Sequence, residues 1–359
     1  MVYWENGGEN TMLDRRSLLG AMASVSALTA VAPYSAFAAP SDDLFIWDNH
    51  GGFGYVGPQD MKMLDLWRQA GVGYFSINVG FDAVPWSTTI KAIADYTREI
   101  EARSDVVRCA TVDDILAARR AGKMALTYDI EGMGALNGDL SMVEIYYRLG
   151  VRQMLIAYNL NNDAGGGCHD DDKGLTDFGR AVIAEMNRVG MVVDCAHSGI
   201  RSGLEAMRLS TRPCIFSHAN ARALQNHERN ITDEQIKAVA KTGGVVGVNG
   251  LSRFLGPGPA KLETMAAHID YIAKLVGPTH VAIGLDCDPT TDGGTPPYDK
   301  RFWPTRQYPA DQVTSFVQPA DLRRLPSLLR GMGYKDPDIE AIMGGNFMRI
   351  AKEVWKAHA

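Results

Sequence analysis

Three histidines and several carboxylates fall at the ends of short apolar runs: Asp48 and His50, Asp129 and Glu131, Asp194 and His197, His218, and Asp286. Imidazole nitrogen and carboxylate oxygen are the ligands that hydrolytic zinc prefers. Tyr158, Asn159 and Asn249 end further runs. One histidine at a strand end is commonly a hydrogen-bonded core or loop residue. Three of them with a glutamate, on separate runs, form a stronger metal-ligand pattern, and from the residues alone both readings stay open. Other chemistries fit less well. No GxSxG elbow is present, and the SHAN of 217–220 sets a serine beside a histidine without one. The GGG of 165–167 is not followed by GK[ST], so it is not a phosphate-binding loop. The loop CHDDDKG (168–174) reads as a solvated charged segment, although Cys168, His169, Asp170, Asp171 and Asp172 are also candidate donors to an additional metal.

Such residues need a frame that brings them to one rim. Near-continuous apolar runs, the mark of strands covered on both faces, occur at 44–49, 72–79, 124–130, 153–158, 191–196, 213–217, 244–249 and 280–285. Helical patterns lie between them at 60–70, 88–104, 111–121, 140–149, 175–189, 201–209, 232–242 and 261–276. Strands alternating with helices imply a parallel α/β architecture, and eight units match a (β/α)8 barrel, whose active sites sit at the C-terminal strand ends. Tail helices near 319–332 and 336–355 are expected to pack outside it. The segment 286–312, rich in Pro, Gly and Asp, is a loop and a candidate lid. Cys195 and Cys214 fall within strands and are expected to be inert core thiols.

The chain has 359 residues, 46% hydrophobic and 22% charged, an ordinary globular composition. With a formal charge of −6, nothing argues for nucleic acid, which would want a basic face. The five cysteines are scattered, with no CxxC, so neither a disulfide framework nor a zinc ribbon is indicated. At the N-terminus, DRRSLL (14–19) precedes an uncharged, weakly apolar stretch and AFA (36–38). That pattern is expected to be a twin-arginine signal peptide, 1–38, removed to leave a single barrel domain over 39–359 in the periplasm or outside the cell. The apolar stretch is too short for a transmembrane helix.

The order of segments resembles the renal, or membrane, dipeptidase family of zinc metallopeptidases. The matching stretches are DNHGG (48–52), YDIEGMGAL (128–136), LTDFGRAVIAEMNRVGMVVDCAHSG (175–199), FSHANARAL (216–224), HERNITDEQI (227–236), GGVVGVN (243–249), IGLDCD (283–288) and GGNFMRI (344–350). The resemblance covers about 44–352 and implies a (β/α)8 barrel, two zinc ions bridged by a glutamate, and a homodimer. Glu131 matches the bridging residue, His197 and His218 the ligands of the second zinc, and His50 the histidine of the first. Arg229 matches the arginine that holds the substrate carboxylate. Asp286 matches the aspartate that holds the amine or shuttles a proton.

Two positions depart from the family. It has His-x-Asp at the end of strand one, where this chain has His50-Gly51-Gly52, and glycine offers no ligand. The first zinc would keep only His50 and Glu131, short of the three protein ligands usual in catalytic sites. At the end of strand four Tyr158 stands for a substrate-contacting histidine; a phenol can donate to the same oxygen but carries no positive charge. The set Glu131, His197 and His218 remains whole. The expected function is metal-dependent hydrolysis of a dipeptide or related amino-acid amide by a zinc-activated water, with Asp286, Glu131 and Tyr158 catalytic and Arg229 binding a small-molecule substrate. The alternatives are a non-peptide substrate (an N-acyl amino acid, a cyclic amide or an ester) and a binding protein that has lost catalysis.

Overall fold

The computed structural model describes residues 44–53, 61–289, 299–309 and 314–356. The expected leader, 1–38, and the parts of the expected lid at 290–298 and 310–312 lie outside the described residues. The strands are β1 (Ile46–Gly51), β2 (Val72–Phe81), β3 (Val106–Arg108), β4 (Met124–Glu131), β5 (Val151–Leu155), β6 (Val192–Asp194), β7 (Ile215–Phe216), β8 (Val245–Val248) and β9 (Val281–Ile283). All pair in parallel, in the order β1-β2-β4-β5-β6-β7-β8-β9. The fold is the (β/α)8 barrel that the alternation implies.

β3 is the strand that periodicity missed. It is three residues long and pairs only with the start of β4, Met124 to Leu126, below the region where β5 takes over the same edge. The helices fall close to their expected ranges, several with threonine caps. Thr111 and Thr232 form capping boxes with Asp114 and Gln235, and Thr176 accepts from Gly179 N. A short helix, Ser252–Leu255, also went unread.

The ends of the sheet meet at the site. β1 and β9 are joined by a parallel bridge from Gly51 to Cys287, by Asp286 N donating to His50 O (3.0 Å), and by Leu285 N donating to Asp48 Oδ1 (2.8 Å). Asp48, a candidate ligand by position, is therefore a strand tie, its second oxygen taken by Trp67 Nε1 at 2.7 Å. A side chain at Gly51 would press into Phe75 and Cys287 O at 2.9 and 3.0 Å, which accounts for glycine at this closure.

The barrel interior is layered. At the N-terminal end Trp47, Tyr74, Ala125, Val192, Ile215, Val245 and Ala282, each from a different strand, form one apolar cluster with Phe347, Ile350 and Val354 of the helix Asn346–Val354. The last helix thus closes the bottom of the barrel, which corrects the expectation that the whole tail packs outside. Its strongly one-sided apolar face has the interior layer as its partner. Above lies a polar layer in which Asp129 accepts from Ser76 Oγ (2.6 Å) and Asn78 Nδ2 (2.9 Å). Cys195 and Cys214 are buried, as expected.

Candidate active site

The C-terminal mouth gathers His50 from β1, Glu131 from β4, His197 just beyond β6 and His218 just beyond β7, all buried. One oxygen is the hub. Glu131 Oε1 lies 3.2 Å from His197 Nε2, 3.3 Å from His218 Nε2 and 3.5 Å from His50 Nε2. His197 Nε2 and His218 Nε2 are 3.0 Å apart, and the rings of His50 and His218 stack with centroids at 3.8 Å.

Each imidazole is aimed by an oxygen behind it. His50 Nδ1 meets Asp129 Oδ1 at 3.0 Å, His197 Nδ1 meets Asn159 Oδ1 at 2.6 Å, and His218 Nδ1 meets Ser217 Oγ at 2.7 Å. An oxygen partner on Nδ1 leaves the Nε2 lone pair to point inward, the usual outer support of a metal-binding histidine. The donor set fits a metal. Donors about 2.0–2.1 Å from a tetrahedral zinc stand about 3.3 Å apart, and the triangle of Glu131, His197 and His218 has edges of 3.0, 3.2 and 3.3 Å. Around His50, Asp286 Oδ1 stands 3.6 Å from Nε2, so a further carboxylate shares the side that lacks the family aspartate. His50, Glu131 and His218 also offer mutually close ligand atoms.

For His197 and His218 electrostatics points the same way. Burial, then Arg229 and His50, hold the His197 imidazole well below its ordinary range, and burial, His50 and Arg229 do the same for His218. Both are therefore neutral ligands near pH 7. Burial opposes the charged form of His50 too, but Asp129, Glu131 and Asp286 outweigh it and raise that ring to about 10. Burial pushes Glu131 up to about 8, and it also raises Asp286.

Backbone strain concentrates here. Asn159, His197 and Asp286 have φ of 62°, 58° and 55°, three of the four non-glycine residues in the left-handed region among the described residues. Such conformations persist where the surroundings over-determine them. Asn159 links two layers: its Oδ1 holds His197, and its Nδ2 donates to Phe302 O at 2.9 Å. The described part of the expected lid is fastened to the rim by that bond, by His169 Nε2 with Tyr308 OH (3.0 Å) and by His227 Nε2 with Gln307 O (3.2 Å).

The remaining candidates sort as follows. Tyr158 stacks on His197 with centroids at 4.2 Å and meets Phe81 edge-on at 5.1 Å. Asp286 Oδ2 accepts from Asn249 Nδ2 at 2.7 Å. Arg229 is buried, with a single side-chain hydrogen bond from Nη2 to His218 O (2.7 Å), and its Nε has no partner. In the 168–174 loop most candidate donors have local partners, while His169 Nδ1 is buried without one. Cys168 Sγ contacts Asn159 Oδ1, His169 is held by Tyr308, Asp170 accepts from Asn161 N, Asp171 is exposed with Lys173 beside it, and Asp172 holds Ser202 and Gly174 N.

Sequence reasoning missed Asp82, just beyond β2. Asp82 N donates to Glu131 O at 3.1 Å, its Oδ1 accepts from Gly134 N, and its Oδ2 accepts from Tyr158 N and Asn162 Nδ2, each at 2.9 Å. It ties the loops carrying Glu131 and Tyr158. Only its place at a strand end marked it. Asp82→Asn puts an amide N–H against donors, and we expect it to lower stability by about 1–3 kcal/mol, read as a lower Tm, together with reduced turnover.

A (β/α)8 barrel with histidines and a glutamate converging at its C-terminal mouth is the arrangement of metal-dependent hydrolases. Residues 59–295 match the profile of the membrane dipeptidases (peptidase family M19), and the chain belongs to that family. It is 31% identical to an uncharacterized dipeptidase of Schizosaccharomyces pombe over 74% of this chain, an alignment that spans 60% of that protein's length. It is 30% identical to a dipeptidase of Claviceps purpurea, over 83% of this chain and 70% of that one. Among solved structures, an amidohydrolase from Pseudomonas aeruginosa superposes with a TM-score of 0.79 at 27% identity, covering 88% of this chain and 97% of the other. A metallo peptidase from Rhodobacter sphaeroides, liganded with a phosphinate mimic of the dipeptide L-Ala-D-Ala, shares the fold with a TM-score of 0.70 at 21% identity, over 87% and 99% of the two chains.

Proposed function

We propose that this protein is an exported zinc hydrolase that cleaves dipeptides or closely related amino-acid amides. The observation that carries the reading is the triangle of Glu131, His197 and His218 donors, each histidine aimed from behind by an oxygen. When bound there, a divalent metal supplies a Lewis acid that polarises a carbonyl and acidifies a water. Arg229, a buried cation short of partners, takes the substrate carboxylate in its planar fork. Asp286, oriented by Asn249, holds the amine and accepts the proton of the attacking water, then returns it to the leaving nitrogen. Tyr158 donates a hydrogen bond from its hydroxyl to the oxygen that gains charge. Export rests on the Arg15-Arg16 pair, the apolar stretch after it and the AFA of 36–38. No helix among the described residues is long and apolar enough to cross a membrane. Family resemblance supports a homodimer.

Metal analysis of protein purified without chelator, followed by a dipeptide panel, tests the reading. We expect at least one equivalent of divalent metal, and turnover that chelator removes and zinc restores. Protein that arrives empty and takes up no metal on soaking overturns it.

Tyr158 gives a separate check. Burial, then Glu131, raises its phenol well above 10, so it keeps its proton throughout pH 6–9. Tyr158→Phe should lower kcat by about 10²-fold, the usual loss on removing one oxyanion donor. Because the lost group is neutral across that range, the shape of the pH–rate profile should not change. A limb that vanishes with the hydroxyl would show that Tyr158 titrates.

A further inference from the structure

A cleft of about 480 Å³ opens between the helix Ile200–Leu209 and the loop that carries Arg229, a size usual for small-molecule sites. Its inner end is formed by the buried His197 and Arg229 with the half-buried Cys168, and its mouth by Arg201 and Arg208. The cleft therefore leads away from the metal-type cluster on the side of the residue assigned to the substrate carboxylate.

Its charges are unbalanced. Arg229 has one side-chain hydrogen bond and no carboxylate within ion-pair distance among the described residues, Glu131 and Asp286 acting on it only from further off. Arg222 donates from Nε to Asn230 O at 2.8 Å and from Nη2 to Glu228 O at 2.6 Å, both main-chain carbonyls, and makes no ion pair among the described residues, although the Glu228 carboxylate nearby favours its charge. The Arg208 side chain has no hydrogen bond or ion pair among the described residues. The other ionic groups are mostly engaged. Arg201 pairs with Glu205 at 2.9 Å, Glu228 pairs with Arg306 at 2.8 Å, and Asp172 accepts from Ser202 Oγ, Ser202 N and Gly174 N. Asp170, at the rim, bonds the main-chain nitrogens of Asn161 and Asp171. Among the described residues, three guanidinium groups without an ion pair, Arg229, Arg222 and Arg208, face two acids without one, Asp170 and Asp172, and the buried guanidinium of Arg229 is costly unless an anion joins it.

We propose that this cleft is the subsite for the residue C-terminal to the scissile bond, and that it selects a side chain bearing a second carboxylate. The preferred substrates end in glutamate or aspartate. The α-carboxylate lies on Arg229, and the side-chain carboxylate reaches along the cleft to Arg222 and Arg208. The inference rests on the hydrolase reading, because that reading puts the α-carboxylate on Arg229. It adds a specificity that the reading does not require.

Two measurements on the metal-loaded full chain test it. In the first, calorimetry compares binding of the products L-glutamate and L-glutamine, which differ in one charge and little in size. In the second, kcat/KM is compared for L-Ala-L-Glu and L-Ala-L-Gln, with both repeated for the D-residue. We expect glutamate to be favoured by about tenfold at low salt, consistent with a charged hydrogen bond, and the preference to shrink as ionic strength rises. Arg208→Gln should remove most of the preference, and Lys241→Gln, outside the cleft, should leave it. Glutamate bound no tighter than glutamine in either configuration overturns the inference, whatever the turnover. A preference that survives Arg208→Gln overturns the assignment of the cleft. Glutamate preference with no turnover of any dipeptide instead overturns the hydrolase reading.

Discussion

Glu131→Gln should leave the protein folded, lower its metal content well below one equivalent and reduce kcat/KM by about 10³-fold or more, the scale of a lost metal centre. The geometry gives the reason. One oxygen, Glu131 Oε1, is the neighbour of all three Nε2 atoms, at 3.2, 3.3 and 3.5 Å. Glutamine keeps the shape but replaces an anionic ligand with a neutral amide. Stability should move the other way once metal is stripped. Burial raises this carboxyl from 4.5 to about 8, so the folded chain prefers its protonated form. For an acid raised on folding, the stabilising contribution is complete below the unfolded pKa and is lost as pH rises through the folded one. The metal-free wild type should therefore match the metal-free Gln variant near pH 4.5 and fall below it in Tm by pH 8.5. Thermal unfolding with chelator across that range, beside metal analysis at pH 7.5, reads both halves. Full metal occupancy in the variant would remove Glu131 from the centre.

Arg229→Met should raise KM by about 10²-fold, with a smaller change in kcat, while raising the Tm of the unliganded protein. Arg229 is 2% exposed, yet it has one side-chain hydrogen bond and no carboxylate partner. A buried charge of that kind destabilises the free protein, and an apolar side chain of similar length, already beside Phe254, removes that burden. The same cation is what a substrate carboxylate pairs with, and a charged hydrogen bond there contributes about 1.5–3 kcal/mol to binding. Stability and affinity should thus change in opposite directions. KM measurements with a dipeptide, beside calorimetric unfolding, check the pair. A variant that unfolds more easily would make Arg229 a structural residue of the 218–231 loop.

Much of this could be read from one dimension. Apolar runs of strand length, spaced by helical patterns, dictate a parallel barrel because strands covered on both faces leave little choice of architecture. The residue that follows each run then stands at the catalytic mouth, which is how His50, Glu131, His197, His218 and Asp286 are found without coordinates. Where that logic was thin, readings went astray. β3 is too short for periodicity, and the apolar stripe of Asn346–Val354 says that it must be covered but not by what. The acid-rich 168–174 loop has ligand chemistry, but Cys168 and Asp172 are engaged in local hydrogen bonds.

Residue type and order alone determined the family, the barrel and the identities of the side chains gathered at its mouth. Tertiary structure alone decided that one glutamate oxygen is shared by three imidazoles, that Asp129, Asn159 and Ser217 aim them, and that Asp82 locks two loops. It also decided that Asp48 ties strands instead of reaching the mouth. The physical reason is that apolar patterning is a local, repeated signal carried by many residues. A hydrogen-bond partner is a single atom within about 3 Å, and between Asp48 and Leu285 it is brought from 237 positions away.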